Sequence, residues 1–94
     1  MMFRLTVPIE IQRLIRKMHP DLKRKLRASL NLIASDPSSG KVLFDELEGL
    51  RSFRVSSFRV IYKMTDPKRI EIITIGPRRR IYEETVRILR KQRG

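Results

Sequence analysis

The segment from Arg51 to Gly76 constrains the fold more than any other part of the chain. It contains three runs in which apolar and polar residues alternate, namely RSFRV (51–55), FRVIYKM (58–64) and RIEIITIG (69–76). This period of two is typical of half-buried strands. The Ser56–Ser57 pair and the TDPK segment (65–68) are the sole connections between the runs. Because connections this short join antiparallel neighbours, the sequence predicts a three-stranded antiparallel meander.

The segments on either side of the meander indicate helices and short strands. FRLTVP (3–8) predicts a strand, and apolar residues three and four apart predict helices over 9–18 and from Pro20 to the loop SDPSSG (35–40). KVLFDEL (41–47) predicts another strand, which turns at Glu48–Gly49. After Pro77 the helical spacing returns, with Glu83 and Glu84 in the first turn, where the helix dipole favours acidic residues.

We therefore predict one α+β domain covering residues 1–94. Its elements follow the order β-α-α-β-β-β-α: a small antiparallel sheet, an N-terminal helical hairpin and a C-terminal helix. A chain of 94 residues is long enough for a single modest core.

Charge and residue usage limit the possible functions. The chain has 22 lysines and arginines against 10 acidic residues, a net charge of +12, so a polyanionic or acidic partner is expected. It has no cysteine and one histidine, which excludes disulfides, thiolate zinc sites and cysteine nucleophiles. No apolar run reaches the length of a membrane span or a signal peptide. We expect a cytoplasmic protein that uses no metal and no cofactor.

Common catalytic motifs are absent from the sequence. It has no glycine-rich phosphate loop, no G-x-S-x-G elbow and no D-x-D pair. Asp45, Glu46 and Glu48 resemble a metal cluster, but a solvated strand end is the favoured interpretation. His19 precedes a proline between two predicted helices, which favours a capping or hinge role. Any chemistry must then use arginine, lysine, tyrosine and hydroxyl groups.

These residue types suit the cleavage of RNA by its own 2′-hydroxyl. Arginine binds phosphate oxygens bidentately and stays charged. Arg54 and Arg59 lie on facing strands of a tight hairpin, Arg78 follows the next strand, and Tyr82 begins the last helix, so the four could meet one phosphate. The alternatives are an exposed strand face for Arg54 and Arg59, a solvated charge run for Arg78–Arg80, and a packing role for Tyr82. Phe58 and Tyr62 are predicted core residues.

The stretches LEGLRSFRVSSFRVIYKM and IEIITIGPRRRIYEE resemble the RelE/ParE superfamily of bacterial toxins, specifically its RelE-like mRNA interferases. They match the family pattern of leucine–x–glycine, a basic hairpin with an arginine before two aliphatic residues and a tyrosine, then glycine–x–arginine and a downstream tyrosine. The preceding strand and helical hairpin fit in order and length, so the resemblance covers nearly the whole chain.

The resemblance implies a type II toxin that cuts mRNA in the ribosomal A site and is neutralised by a cognate antitoxin. It assigns phosphate contact to Arg59, transition-state stabilisation to Arg78 and the 2′-hydroxyl to Tyr82. Arg54 stands where studied members have a lysine, and Ser56 where they have a second lysine, which leaves the general base unassigned. The wider phosphate-binding surface is expected to include Arg51, Ser56, Arg79, Arg80, Lys23, Arg24 and Arg27. The alternatives are a ParE-like toxin that poisons DNA gyrase without cleaving RNA, and an RNA-binding module that has lost its catalytic role, which the serine at position 56 keeps open.

Overall fold

A computed structural model describes residues 2–93, with side chains up to residue 92. Within this range the chain forms five strands and three α-helices, together with the 3₁₀ helices Pro37–Ser39 and Asp45–Leu47. The elements are β1 (Arg4–Thr6), α1 (Ile9–Arg16), α2 (Pro20–Ser35), β2 (Lys41–Val42), β3 (Arg51–Val55), β4 (Phe58–Asp66), β5 (Arg69–Pro77) and α3 (Ile81–Arg93). The predicted α+β class is confirmed. The order β-α-α-β-β-β-α counts one strand fewer than the structure, in which β2 covers the first two residues of the strand predicted over 41–47.

The five strands form one sheet in the order β1-β5-β4-β3-β2. The meander β3-β4-β5 is antiparallel as predicted, and β2 pairs antiparallel with β3. The N-terminal strand departs from the antiparallel sheet that the sequence predicts: β1 pairs parallel to β5, with Leu5 opposite Ile70. Two helices and three strands separate β1 from β5 in the chain, so no short connection imposes the antiparallel direction.

The prediction of a strand over 41–47 is wrong beyond its first two residues. Leu43 and Leu47 are both buried, and Phe44 between them is 72% exposed. Leucines four residues apart share a side in a helical turn, whereas alternation would bury every second residue. The chain therefore turns into the 3₁₀ helix Asp45–Leu47, where the acidic side chains Asp45, Glu46 and Glu48 are exposed.

Each face of the sheet carries its own apolar cluster. On one face α1 and α2 pack against Val55, Val60, Tyr62, Ile70, Ile72 and Ile75 through Ile11, Leu26 and Ile33. On the opposite face α3 packs against Ile61 and Ile73 through Ile81, together with Leu43, Leu47 and Leu50 from the segment around the 3₁₀ helix. We call these the helical-hairpin face and the α3 face. No helix in the described part of the chain is long and apolar enough to cross a membrane.

His19 caps the second helix, as the sequence predicts. It is the residue before α2, and its Nδ1 accepts a hydrogen bond from the Asp21 backbone N–H at 3.2 Å. Pro20 follows at the first helical position, where its missing N–H is not needed. His19 therefore has a structural role at the break between α1 and α2.

Tyr62 fastens the loop before β2 to the helical-hairpin face. Its side chain is fully buried, its hydroxyl accepts from the Gly40 N–H at 2.9 Å, and it donates to the Pro37 carbonyl at 2.7 Å. A Cβ on Gly40 would overlap this hydroxyl. Burial is the main cause that raises the pKa of Tyr62. The prediction that Tyr62 is a core residue is confirmed.

The substitution Tyr62→Phe should lower the free energy of unfolding by about 1–3 kcal/mol, because it leaves the Gly40 N–H and Pro37 carbonyl without partners. Chemical denaturation at neutral pH measures this loss. Since the folded pKa is raised, wild-type Tyr62 stabilises the fold fully below the ordinary tyrosine pKa of about 10 and loses that contribution as pH rises above it. The wild-type advantage over Tyr62→Phe should therefore shrink above about pH 10. An advantage that grows with alkaline pH would contradict this account.

Candidate functional site

Arg54 and Arg59 lie directly opposite each other on β3 and β4. Residues paired in this way share a face of the sheet. The pair two residues further along, Ser52 and Ile61, lies on the same face, and Ile61 belongs to the apolar cluster of the α3 face. Arg54 and Arg59 therefore lie on the α3 face. The prediction that the two arginines point to the same side is confirmed. Like charges directly opposite are unfavourable in a sheet, so this pair weakens the hairpin unless an anion lies near it.

A cleft of about 330 Å³ lies at the turn end of the β3–β4 hairpin. Its lining residues are Arg54, Ser56, Ser57, Pro77, Arg78 and Arg79. The Arg78 backbone N–H donates to the Ser57 carbonyl at 3.0 Å, so the segment after β5 is attached to the hairpin turn. We call this feature the arginine cleft. It brings together Arg54, Ser56, Arg78 and Arg79, four of the residues predicted from the sequence.

Arg59 does not line the arginine cleft. Its Nη1 donates to the Ser52 hydroxyl at 3.1 Å, and its Nε is buried without a hydrogen-bond partner among the described residues. Arg54 instead donates from Nε to the Ser56 carbonyl at 3.3 Å, toward the turn. The two arginine side chains therefore start from paired positions and point in different directions, that of Arg54 toward the turn and that of Arg59 toward Ser52.

Tyr82 also lies outside the lining of the cleft. It is the second residue of α3, is half-buried, and packs against the α3-face cluster together with Val86 and Leu89. Spacings of four and seven residues align these side chains on one stripe of the helix. In this structure Tyr82 therefore has the packing role that was the alternative to a catalytic one. Of the four groups expected to meet one phosphate, Arg54 and Arg78 line the cleft, whereas Arg59 and Tyr82 do not.

Two further arginines predicted for the phosphate surface have structural contacts. Arg51 is half-buried on the helical-hairpin face, where its Nη1 donates to the Gly40 carbonyl at 2.9 Å. This bond supports the same loop that Tyr62 holds, so Arg51 is separated from the cleft by the sheet. The Arg80 carbonyl accepts from the Glu84 N–H at 3.0 Å at the start of α3, and the Arg80 side chain is exposed beside the cleft without lining it.

The basic residues of α2 belong to the helical-hairpin layer. Lys23 donates to the Arg16 carbonyl at 3.1 Å, and Arg24 forms an exposed ion pair with Asp21 at 3.2 Å. Arg27 is exposed. Since α2 covers the face opposite α3, these side chains do not join the arginine cleft and could contact only a different part of a large partner.

Sequence reasoning missed Ser52 and Gly76. Ser52 is 1% exposed and holds Arg59; a serine two positions before Arg54 on a strand was the available signal, since such residues share a face. Gly76 pairs with Arg59, and a Cβ there would lie 3.0 Å from Ile81 Cδ1 and 3.4 Å from Glu84 Oε2. The absence of a side chain at residue 76 therefore allows α3 to begin close against the sheet.

The arginine cleft is suited to binding a phosphate diester. Three guanidinium groups and two serines surround a space open to solvent, and guanidinium groups match phosphate geometry. Groups of three or more histidine, cysteine, aspartate or glutamate side chains that could hold a metal ion are not found between residues 2 and 92. The polar side chains that line the cleft carry guanidinium and hydroxyl groups, which bind a ligand by charge and by hydrogen bonds.

A sequence model of one protein family matches residues 9–82, well over half of the chain. The family is described as the ParE toxin of the type II toxin–antitoxin system parDE. The chain belongs to this family. It is thus a toxin of a type II toxin–antitoxin system within the RelE/ParE superfamily. No curated protein sequence matches at a significant level.

Several solved structures of RelE toxins share this fold. A RelBE toxin–antitoxin complex of Mycobacterium tuberculosis matches at 21% identity over 82% of this chain and 92% of that chain, with a TM-score of 0.71. A free Escherichia coli RelE variant matches at 18% identity over 93% and 97%, with a TM-score of 0.71. The archaeal RelE–RelB complex of Pyrococcus horikoshii matches at 22% identity over 83% and 97%, with a TM-score of 0.66. At these identities the likeness establishes the fold.

Ser56→Gly should raise the free energy of unfolding by up to about 1 kcal/mol, because Ser56 has a φ of 57° and a residue with a Cβ is disfavoured in that region. The matched control is Ser57→Gly, at the other position of the turn, where φ is not positive. There glycine should lower stability, since it gains conformational freedom in the unfolded chain. Thermal melts of both variants give the comparison, and equal effects at the two positions would refute it.

Gly76→Ala should destabilise the toxin by about 1–3 kcal/mol, because the new methyl group meets the buried Ile81 Cδ1. Ile81→Val removes that carbon atom and alone should cost about 0.5–1.5 kcal/mol. If the steric account is correct, the double variant loses less stability than the two single losses combined. Hydrogen exchange of the α3 amides should increase in Gly76→Ala and recover in the double variant; strict additivity would disprove the contact.

Proposed function

We propose that this toxin is a ribosome-dependent endoribonuclease that cleaves mRNA in the A site through attack by the 2′-hydroxyl. The single observation that carries the proposal is the arginine cleft, which presents Arg54, Arg78 and Arg79 to one volume of about 330 Å³. The reaction passes through a phosphorane that carries more negative charge than the substrate. Fixed cations at that position stabilise the transition state more than the ground state.

The proposed roles follow from where each group is held. The main chain of Arg78 is held by its hydrogen bond to Ser57. In this proposal its guanidinium group binds a non-bridging oxygen of the scissile phosphate, and Arg54, which lines the same cleft, binds a second phosphate oxygen. The 2′-hydroxyl loses its proton as its oxygen forms a bond to phosphorus. The bond from phosphorus to the 5′-oxygen breaks and that oxygen takes up a proton, so the products are a 2′,3′-cyclic phosphate and a 5′-hydroxyl. Arg59 and Tyr82 take part only after their side chains leave the positions described above. The resemblance of the sequence to RelE-like interferases supports a role for both.

Two classes of partner fit the proposal. The related structures from Mycobacterium tuberculosis and Pyrococcus horikoshii are toxin–antitoxin complexes, which supports a cognate antitoxin that neutralises this chain. Ribosomal RNA is the second partner, because a net charge of +12 favours association with a polyanion. In this proposal Lys23, Arg24 and Arg27, on the opposite face, add sequence-independent phosphate contacts to the ribosome.

Primer extension on ribosome-bound mRNA tests the proposal. Wild-type toxin should produce A-site cuts, and Arg78→Ala should lower the single-turnover rate by about 10²–10³, the usual effect of removing one preorganised donor. Arg27→Ala is the control, because Arg27 carries the same charge on α2 away from the cleft. It should weaken ribosome binding and leave the rate at saturation unchanged. Equal rate losses in both variants would mean that the cleft has no special part in cleavage.

A second candidate is a ParE-like toxin that inhibits DNA gyrase without cutting RNA. Two observations favour it, namely the ParE description of the matching family and the packing of Tyr82 in the α3-face cluster. A supercoiling assay with purified gyrase separates the two activities. Inhibition of gyrase by the wild type and by Arg78→Ala alike, with no cuts on ribosome-bound mRNA, would replace the nuclease proposal.

A further inference from the structure

Ser52 is a buried hydroxyl whose contact is with Arg59. It is 1% exposed in the middle of β3, and its Oγ accepts from Arg59 Nη1 at 3.1 Å. Ser52 shares the α3 face with Arg54, because side chains two residues apart on a strand point the same way. A buried serine is explained when its hydroxyl has a partner. Here that partner is a charged group predicted to act on phosphate.

The bond to Ser52 directs Arg59 away from the arginine cleft. Ser52 pairs with Ile61, so it lies farther from the hairpin turn than the Arg54–Arg59 pair does. Arg54 extends in the other direction, to the Ser56 carbonyl at the turn. Two like charges that start from directly opposite positions repel each other. Divergence is the expected arrangement when no anion lies between them.

Not all of the buried N–H groups of Arg59 have a hydrogen-bond partner among the described residues. Its Nε is buried and has no partner among the described residues, and a buried unpaired donor is unfavourable. While Nη1 donates to Ser52, the guanidinium group of Arg59 lies outside the cleft, so it cannot present two N–H groups to a phosphate bound there. A phosphate in the cleft would offset the repulsion between the arginines and offer Arg59 better acceptors.

We propose that Ser52 is a positioning residue that holds Arg59 out of the cleft in the free toxin, and that a bound phosphate group releases Arg59 from Ser52 to complete a clamp with Arg54. The inference rests on the proposed function for the source of the phosphate, an RNA backbone. A ligand shifts the equilibrium only by its preference for one conformation. The converging state forms more contacts with phosphate, so the ligand favours it.

Binding of a short single-stranded 2′-O-methyl RNA, which cannot be cleaved, tests the proposal at fixed ionic strength. Ser52→Ala should bind about threefold to tenfold more tightly than the wild type, because the hydrogen bond that competes with the ligand is gone. Ser52→Thr keeps the hydroxyl and should bind as the wild type does. Arg59→Ala should bind more weakly, and adding Ser52→Ala to it should change nothing further.

Two results would overturn the proposal: Ser52→Ala binding no more tightly than the wild type, or an increase that persists without Arg59. A second measurement requires no variant. The nitrogen-15 and proton resonances of Arg59 Nε in the wild type should shift during titration with inorganic phosphate, together with those of Arg54. If Ser52→Ala does not fold, unchanged Arg59 resonances at saturating phosphate would refute the proposal on their own.

Cleavage kinetics keep this inference separate from the proposed function. On ribosome-bound mRNA, Ser52→Ala should lower KM about threefold to tenfold and leave kcat within about twofold of the wild type, since the hydroxyl affects binding alone. A wild-type toxin that never cleaves would refute the nuclease proposal, and the RNA-binding series would still decide the role of Ser52.

Discussion

The pairing register between β3 and β4 is the constraint on which the site depends. A two-residue connection, Ser56–Ser57, leaves Val55 opposite Phe58 and therefore Arg54 opposite Arg59. A shift of one residue would move every side chain of one strand to the other face and would bury arginines where Val55 and Val60 now pack. The same register that buries the helical-hairpin core thus places two cations together on the α3 face. Folding and site assembly are consequences of one alignment.

Three arginines of this toxin line the arginine cleft, and the interactions that stabilise the fold lie elsewhere. Among the described acidic groups, Glu46 pairs with Arg90 and Asp21 with Arg24, both exposed and away from the arginine cleft. Exposed pairs of this kind contribute little stability. Among the side chains described, those of residues 2–92, none forms such a pair with an arginine of the cleft, and mutual repulsion opposes the approach of these arginines. The stability of the fold must therefore come from the two apolar clusters and the Tyr62 hydrogen bonds. Their contribution offsets the repulsion between the arginines at the hairpin turn.

The sequence predicted the features that depend on spacing and turn length. Alternation and short connections were sufficient for the meander, for the shared face of Arg54 and Arg59, and for the burial of Tyr62. The parallel pairing of β1 was not predictable in this way, because it depends on how distant segments pack. The direction of the Arg59 side chain was not predictable either. It results from the hydrogen bond to Ser52 and the repulsion by Arg54, and a strand register does not determine either effect.

The arginine cleft supplies positive charge for the proposed nuclease and leaves proton transfer to other groups. Guanidinium groups remain protonated and have no acceptor, so Arg54, Arg78 and Arg79 can hold and stabilise a phosphate but cannot take the proton of a 2′-hydroxyl. Ser56 occupies the position at which the resemblance implied a lysine. In the proposed nuclease reaction, the proton of the 2′-hydroxyl must then be taken by Tyr82 after it leaves its packed position, or by a group of the substrate or ribosome. The proposed reaction therefore needs a proton acceptor in the cleft beside the cations that stabilise the phosphorane.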